Sequence, residues 1–149
     1  MRALKSAILK LWVYSSSDKA VNVAFNLNTL QKTLKRLAND EELLVRCCVA
    51  QNPNTPPEVL EKLAKDENFW VRYYVAQNPN TPPKASEKLS DDEYCGIRWH
   101  VAYNPNTPLK VLAKLASDEE WDVRYGVEQN PIIPKYIKTY LRYKNYLKC

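Results

Sequence analysis

Glycine is nearly absent. Two glycines against ten prolines in 149 residues exclude a Gly-rich phosphate loop and a β-rich chain of many hairpins. They suit helices joined by stiff turns. Histidine occurs once, at His100, so neither a Ser/His/Asp constellation nor a multi-imidazole metal site can be assembled. The four cysteines, Cys47, Cys48, Cys95 and Cys149, show no C-x-x-C spacing. No zinc or iron–sulfur site is therefore expected, and no other cofactor. The thiols are expected to be free, as in a cytoplasmic protein. No run approaches about 18 apolar residues, so no membrane-spanning helix is expected. The basic, partly apolar stretch from Met1 to Tyr14 is interrupted by Lys10 and reads as a capping helix rather than a signal peptide. What is plentiful is apolar side chain, 45% of the total, enough to exclude disorder and to build one domain with a sizeable core.

Acidic residues are missing from one end of the chain. Residues 135–149 carry five basic side chains and no acidic one, and residues 1–36 carry seven and one. The middle, 37–134, carries ten basic and sixteen acidic residues. The net charge of +5 is therefore concentrated at the two ends. A nucleic acid lying along the middle would meet like charge, whereas a nucleic-acid binder usually presents one basic patch or stripe.

The middle is organised by recurrence. Asn78-Pro79-Asn80-Thr81-Pro82 returns as Asn52 to Pro56 and Asn104 to Pro108, and in worn form at Asn130-Pro131 and Pro134. Val71-Arg72 returns as Val45-Arg46 and Val123-Arg124, with Ile97-Arg98 between. Each step is 26 residues, a period that marks stacked supersecondary units. Val23 to Asp40 keeps much of the pattern without the prolines and the arginine, as a terminal unit does. The expected organisation is a cap over 1–18, a degenerate unit over 19–44, units over 45–70, 71–96 and 97–122, and a partial unit with a basic cap helix over 123–149.

Each unit reads as two helices. A residue before proline is pushed out of the α region, so Thr55 is expected at an N-cap, with Pro56 at N1 and Glu58 at N3 closing a capping box. Thr81 and Thr107 stand in the same place. Val59, Leu60 and Leu63 follow at helical spacing toward the core. Asp66 is expected to cap a second helix running from about Glu67 to Gln77, with Val71, Tyr74 and Val75 on its inner side. Asn78 precedes Pro79, so that helix must stop there. After Pro134 the chain reads as a last helix, with Ile137, Leu141 and Tyr140 continuing the buried stripe.

Three ladders follow. Asn52, Asn78, Asn104 and Asn130 have side chains suited to bonding freed carbonyls and N–H groups in successive turns, a structural role. Arg46, Arg72, Arg98 and Arg124 are expected to pair with aspartates or turn carbonyls of adjacent units; an anion held by stacked arginines is the competing reading. On a helical wheel anchored at Val71 and Val75, Trp70, Tyr73 and Gln77 fall on the far side. Trp99, Tyr103, Tyr125 and Gln129 fill equivalent places. Either these rings pack between units or they form an exposed surface of the kind favoured at protein hot spots. At the basic end Lys135, Lys138, Arg142, Lys144 and Lys148 interleave with Tyr136, Tyr140, Tyr143 and Tyr146. That pattern fits either a cap whose tyrosines cover the last unit or a nucleic-acid site. No catalytic residue is assigned; Asp122 beside Trp99 is the one carboxylate–aromatic pair to inspect.

The run VRYYVAQNPNTPP, with Val-Leu-x-x-Leu-Ala-x-Asp as in Val59 to Asp66, resembles the leucine-rich repeat variant family over roughly residues 19–137. The resemblance implies an all-α fold, a right-handed solenoid of four to five two-helix units. One helix of each unit is shorter and often 3₁₀ in character, so the second helix is expected to be tight. Some members carry an iron–sulfur cluster on a separate Cys-rich segment. This sequence contains none, so no cluster carries over. The family implies no general enzymatic activity. The Asp…Val-Arg signature is also similar to HEAT-type repeats, a group that includes alkylpurine DNA glycosylases. The expected function is a non-enzymatic scaffold that binds a protein or peptide on its concave face. The alternative is nucleic-acid binding through the basic ends, in a repair context.

Overall fold

A computed structural model describes residues 17–146. The expected helix over Met1 to Tyr14, Lys148 and Cys149 lie outside the described residues. Within them the chain is all-helical, with ten helices and no strand. They are α1 (Ser17–Phe25), α2 (Gln31–Leu37), α3 (Leu43–Gln51), α4 (Pro57–Leu63), α5 (Phe69–Gln77), α6 (Pro83–Leu89), α7 (Cys95–Tyr103), α8 (Leu109–Leu115), α9 (Trp121–Gln129) and α10 (Lys135–Tyr146). Nine-residue helices alternate with seven-residue helices up to α9. The longer ones pack successively, α1 on α3, α3 on α5, α5 on α7 and α7 on α9, and α10 covers α9. The shorter helices form the second layer.

The core lies between the layers. Val45, Val49, Val71, Val75, Ile97, Val101, Val123 and Val127 face it from the long helices, and Leu34, Leu60, Leu63, Leu89, Leu112 and Leu115 from the short ones. Full burial of each such side chain is worth about 1.5–3 kcal/mol. That packing stabilises helices too short to persist alone.

The helix starts differ from the expected capping. Pro56, Pro82 and Pro108 occupy the N-cap positions of α4, α6 and α8, and no side chain caps them. Pro57 and Pro83, not Pro56, stand at the first helical position. Thr55, Thr81 and Thr107 are buried and point back. Each hydroxyl donates to the carbonyl six residues earlier, Thr55 to Val49 (2.6 Å), Thr81 to Val75 and Thr107 to Val101 (2.6 Å). The orphan carbonyls at the preceding helix's C-terminus need donors, and a buried hydroxyl supplies one. Glu58 closes no capping box; it pairs with Lys35 across the units at 2.6 Å.

The second helix also starts later than expected. Asn68, not Asp66, caps α5, accepting from Trp70 N at 2.9 Å. Asp66 closes the preceding turn by accepting from Asn68 N at 2.9 Å. Asp40, Asp92 and Asp118 do the same for Glu42, Tyr94 and Glu120. Nor is the second helix tighter: α5 is α-helical and longer than α4.

Candidate functional site

The asparagine ladder joins unit to unit. Asn78 Nδ2 donates to Ala50 O (2.7 Å) and Asn52 O (3.0 Å), and its Oδ1 accepts from Asn80 N (2.9 Å). Asn52, Asn104 and Asn130 repeat the arrangement on Ala24 and Asn26, Ala76 and Asn78, Ala102 and Asn104. All four are buried. A second, exposed ladder escaped the sequence reading. Asn54, Asn80 and Asn106 donate to the carbonyls of Leu27, Pro53 and Pro79. Its signal was present, since these asparagines recur with the same step.

The arginines form a parallel ladder. Arg72 donates from Nε to Asp92 Oδ2 (2.6 Å) and from Nη2 to Asp92 Oδ1 (3.2 Å), while Nη1 reaches the carbonyls of Asp66 (3.0 Å) and Glu67 (3.1 Å). Arg46 with Asp66, and Arg98 with Asp118, repeat this. Arg124 donates to the carbonyls of Asp118 and Glu119 at 2.9 and 2.7 Å. Each fork of Arg46, Arg72 and Arg98 thus bridges its own turn to the aspartate of the next.

These ladders leave the outer side of the long helices to aromatic residues. Trp70, Tyr103 and Tyr125 are exposed, and so is Trp121, which the helical wheel left out of the ladder. Trp99 stacks on Tyr103 (5.4 Å, 7°) and Trp121 on Tyr125 (5.0 Å, 11°), each pair one helical turn apart. Tyr73 and Trp99 do not stand free. Both are half-buried and packed against the core, because each ring lies under the next helix. Tyr73 meets His100 edge-on at 4.6 Å. A Cβ added at Gly126 would come within 3.1 Å of Trp99 Cδ1, so Gly126 lets α9 approach α7 closely. Gln77 is exposed and Gln129 half-buried.

Ala76, Gln77, Pro79, Trp99, His100, Tyr103, Asn104 and Pro105 line an open groove of about 340 Å³ between α5 and α7. A larger open hollow, about 500 Å³, lies by α4, with Glu58, Glu61, Lys62, Lys65 and Asp66 among its lining. Four of these are engaged across units: Glu58 with Lys35, Lys62 with Asn39, Asp66 with Arg46 and Glu61 with Lys84. Asp122 is exposed and forms no enclosed carboxylate site. Among the described residues no cluster of His, Cys, Asp or Glu could hold a metal ion, and no helix is long and apolar enough to cross a membrane. Burial, with the neighbouring Cys48 and Asp66, pushes the Cys47 thiol up to about 12, and burial pushes Cys48 up to about 11. Both are protonated, poor nucleophiles at neutral pH.

His100 is the titratable group of the groove. Burial lowers its pKa from 6.5 to about 4, and Gln77 Nε2 donates to its Nε2 at 3.0 Å, a bond only the neutral ring accepts. The folded state therefore binds fewer protons than the unfolded one between these values. Stability is level above pH 7, falls as pH drops below 6.5, and has lost this contribution below about 4. The full shift corresponds to about 3 kcal/mol, and partial exposure reduces it to about 1–2 kcal/mol. Urea unfolding at pH 7 and pH 5 should show most of that difference. His100→Tyr, which places there the residue found at position 74, should remove it.

At the basic end Tyr136, Tyr140 and Tyr143 do not cover the last unit. Tyr136, Tyr140 and Tyr143 are 73%, 60% and 64% exposed, while Leu141 is buried and Ile137 half-buried. Tyr140 is thus outside the buried stripe where it was expected. Glu128 is buried where Ala24, Ala50, Ala76 and Ala102 recur in earlier units. Arg142 donates to its Oε1 from Nε (2.8 Å) and Nη2 (2.6 Å) and so clamps α10 to α9. Lys138 Nζ reaches Gln129 O at 3.5 Å, and Lys135 is exposed. Lys144 lies in α10, and Lys148 is beyond the described residues.

No curated protein and no solved structure matches the chain. Residues 43–68, from the first residue of α3 to the capping asparagine before α5, match the family model of the leucine rich repeat variant, in keeping with a helical repeat protein.

Proposed function

We propose that this chain is a non-enzymatic, cytoplasmic scaffold: a right-handed solenoid of 26-residue units whose long helices form a concave face that binds a segment of another protein. The observation that carries the reading is the run of exposed rings on three successive long helices. Trp70 stands on α5, Tyr103 on α7, and Trp121 with Tyr125 on α9. Such rings add large contact area with few rotors to immobilise, and truncating them costs binding rather than folding. The lysines of residues 57–115 lie on the short helices and the turns after them. Several pair there with acids of the preceding unit, as Lys84 with Glu61, Lys110 with Glu87 and Lys114 with Asp91. The aromatic face is left neutral to acidic, which favours a partner segment with basic or neutral groups.

The test avoids the half-buried rings. Trp99→Ala would open a cavity under Gly126 and confuse folding with binding. Tyr103→Ala with Tyr125→Ala removes two exposed rings instead. Affinity capture from source cells, read by mass spectrometry, should lose a specific protein partner with the double variant. The melting temperature should stay within about 3 °C, as for surface substitutions. If the double variant retains every partner of the parent protein, the aromatic face is not the binding surface.

A further inference from the structure

We propose that α10 is a separate site for single-stranded nucleic acid, with Tyr136, Tyr140 and Tyr143 as a stacking platform and Lys135 as a phosphate contact. It shares no residue with the aromatic face of the long helices, so either site can fail without the other.

The helix has two unlike sides. Ile137 and Leu141 face α9, and the Arg142–Glu128 clamp fixes the helix's rotation against it. With that rotation set, Tyr136, Tyr140 and Tyr143, at spacings of four and three residues, share one solvent face. A helix with one face packed on a repeat array needs a polar outer side for solubility. Three adjacent exposed phenol rings run against that need.

Charge selects the occupant. Residues 135–149 contain five basic side chains and no acidic one, and the carboxylate that α9 brings against the helix, Glu128, is buried and taken by Arg142. A second copy of this chain docking the same helix would bring like charge onto like. A cationic protein segment would meet the same repulsion. A polyanion is attracted, and one with flat aromatic bases satisfies the rings as well.

Spacing selects strandedness. The rings spring from backbone positions about 6 and 4.5 Å apart along the helix axis at 1.5 Å per residue, whereas bases stacked in a duplex are about 3.4 Å apart. A duplex offers no free base faces, but an unstacked single strand can lay successive bases on successive rings.

The experiment uses the full chain and fluorescently labelled 12-nucleotide oligothymidylate and oligouridylate, with a 12-base-pair duplex as comparison. Anisotropy titrations at about 50 mM salt favour phosphate contacts. Expected results are binding of one or both single strands more tightly than the duplex, with affinity falling as salt rises. Tyr136→Ala/Tyr140→Ala/Tyr143→Ala should weaken binding about tenfold or more with the salt slope unchanged, and Tyr140→Ala alone severalfold. Lys135→Glu should weaken binding and flatten the slope. Circular dichroism should show both tyrosine variants folded, since the rings are exposed. No binding at about 50 mM salt, a preference for duplex, or full affinity in the folded triple variant overturns the proposal. A concentration-dependent dimer in sedimentation that the triple variant abolishes overturns it too, by assigning the face to a second copy.

Discussion

Asn78→Ala should lower stability by about 3–5 kcal/mol, among the largest costs expected of any substitution away from the apolar core. The side chain makes three hydrogen bonds in a buried place, two donated to the carbonyls of Ala50 and Asn52 and one accepted from Asn80 N–H. Alanine fills the space of neither amide atom. The Asn52 carbonyl keeps the Thr55 N–H at 3.0 Å, but the Ala50 carbonyl and the Asn80 N–H both lose this partner. The buried Ala50 carbonyl left unsatisfied costs about 1–3 kcal/mol, and each hydrogen bond lost, including that to the N–H of exposed Asn80, adds about 0.5–1.5 kcal/mol. Chemical denaturation should show the midpoint fall with little change in slope. Asn78→Asp is the informative companion. Its carboxylate still accepts from Asn80 N–H but faces two carbonyl oxygens, so at pH 7 it should be at least as destabilising as alanine. Protonation at low pH restores one donor and should narrow the gap between Asp and Ala. A cost below about 1 kcal/mol for Asn78→Ala, the range of an ordinary surface change, would falsify the view that the asparagines bind unit to unit.

Arg98→Met should cost about 3–5 kcal/mol, because it leaves Asp118 charged and short of its partner in a nearly dry place. The two side chains are only 10% and 9% exposed and meet at 2.8 Å. Burial alone would raise the Asp118 carboxyl. The hydrogen bond from Arg98, aided by Glu120 N–H and by the charges of Arg98 and Arg124, outweighs burial and holds the carboxyl below its usual range. The sign of the pH effect follows. The pair's contribution is complete above the unfolded carboxylate pKa, about 3.9, and is lost as pH falls through the lower folded value. The Arg98→Met penalty should therefore shrink below pH 4, outside the window in which His100 acts. Arg98→Lys should recover little, since an ammonium cannot reach both carboxylate oxygens and the two turn carbonyls at once. Arg98→Met with Asp118→Leu should recover much of the loss, because two apolar side chains of matching size replace the pair without stranding a charge. A double-mutant cycle with little coupling would show instead that the turn carbonyls of Asp92 and Glu93, not Asp118, carry the arginine's contribution.

Helices could be read from the chain because apolar periodicity and proline placement act locally. Val71 and Val75 stripe one face, and Pro79 forbids the helix from continuing beyond Asn78. Cap chemistry could not be read as well, because the same residue can satisfy either neighbour. Thr55 before Pro56 has the backbone an N-cap needs, yet its hydroxyl turns to Val49 O, since the preceding helix offers a buried carbonyl at closer reach. Asp66 likewise serves its own turn and Arg46, leaving the cap of α5 to Asn68.

By itself the sequence determined that this protein is all-helical and which stripe of each helix is apolar. Both are properties of single helices, set by side-chain spacing and by backbone sterics at proline. Only the tertiary structure decided which rings face water. Drawn each on the wheel of its own helix, Tyr73 of α5 and Tyr103 of α7 both lie opposite the buried β-branched stripe, but Tyr73 is half-buried against His100 of the next helix while Tyr103 is exposed. That difference depends on what the neighbouring unit places across the interface, and a wheel drawn for one helix holds no information about it. The same is true at the basic end. There, buried Glu128 draws in Arg142 and fixes the helix's rotation, so that Leu141 goes inward and the three tyrosines stay in water.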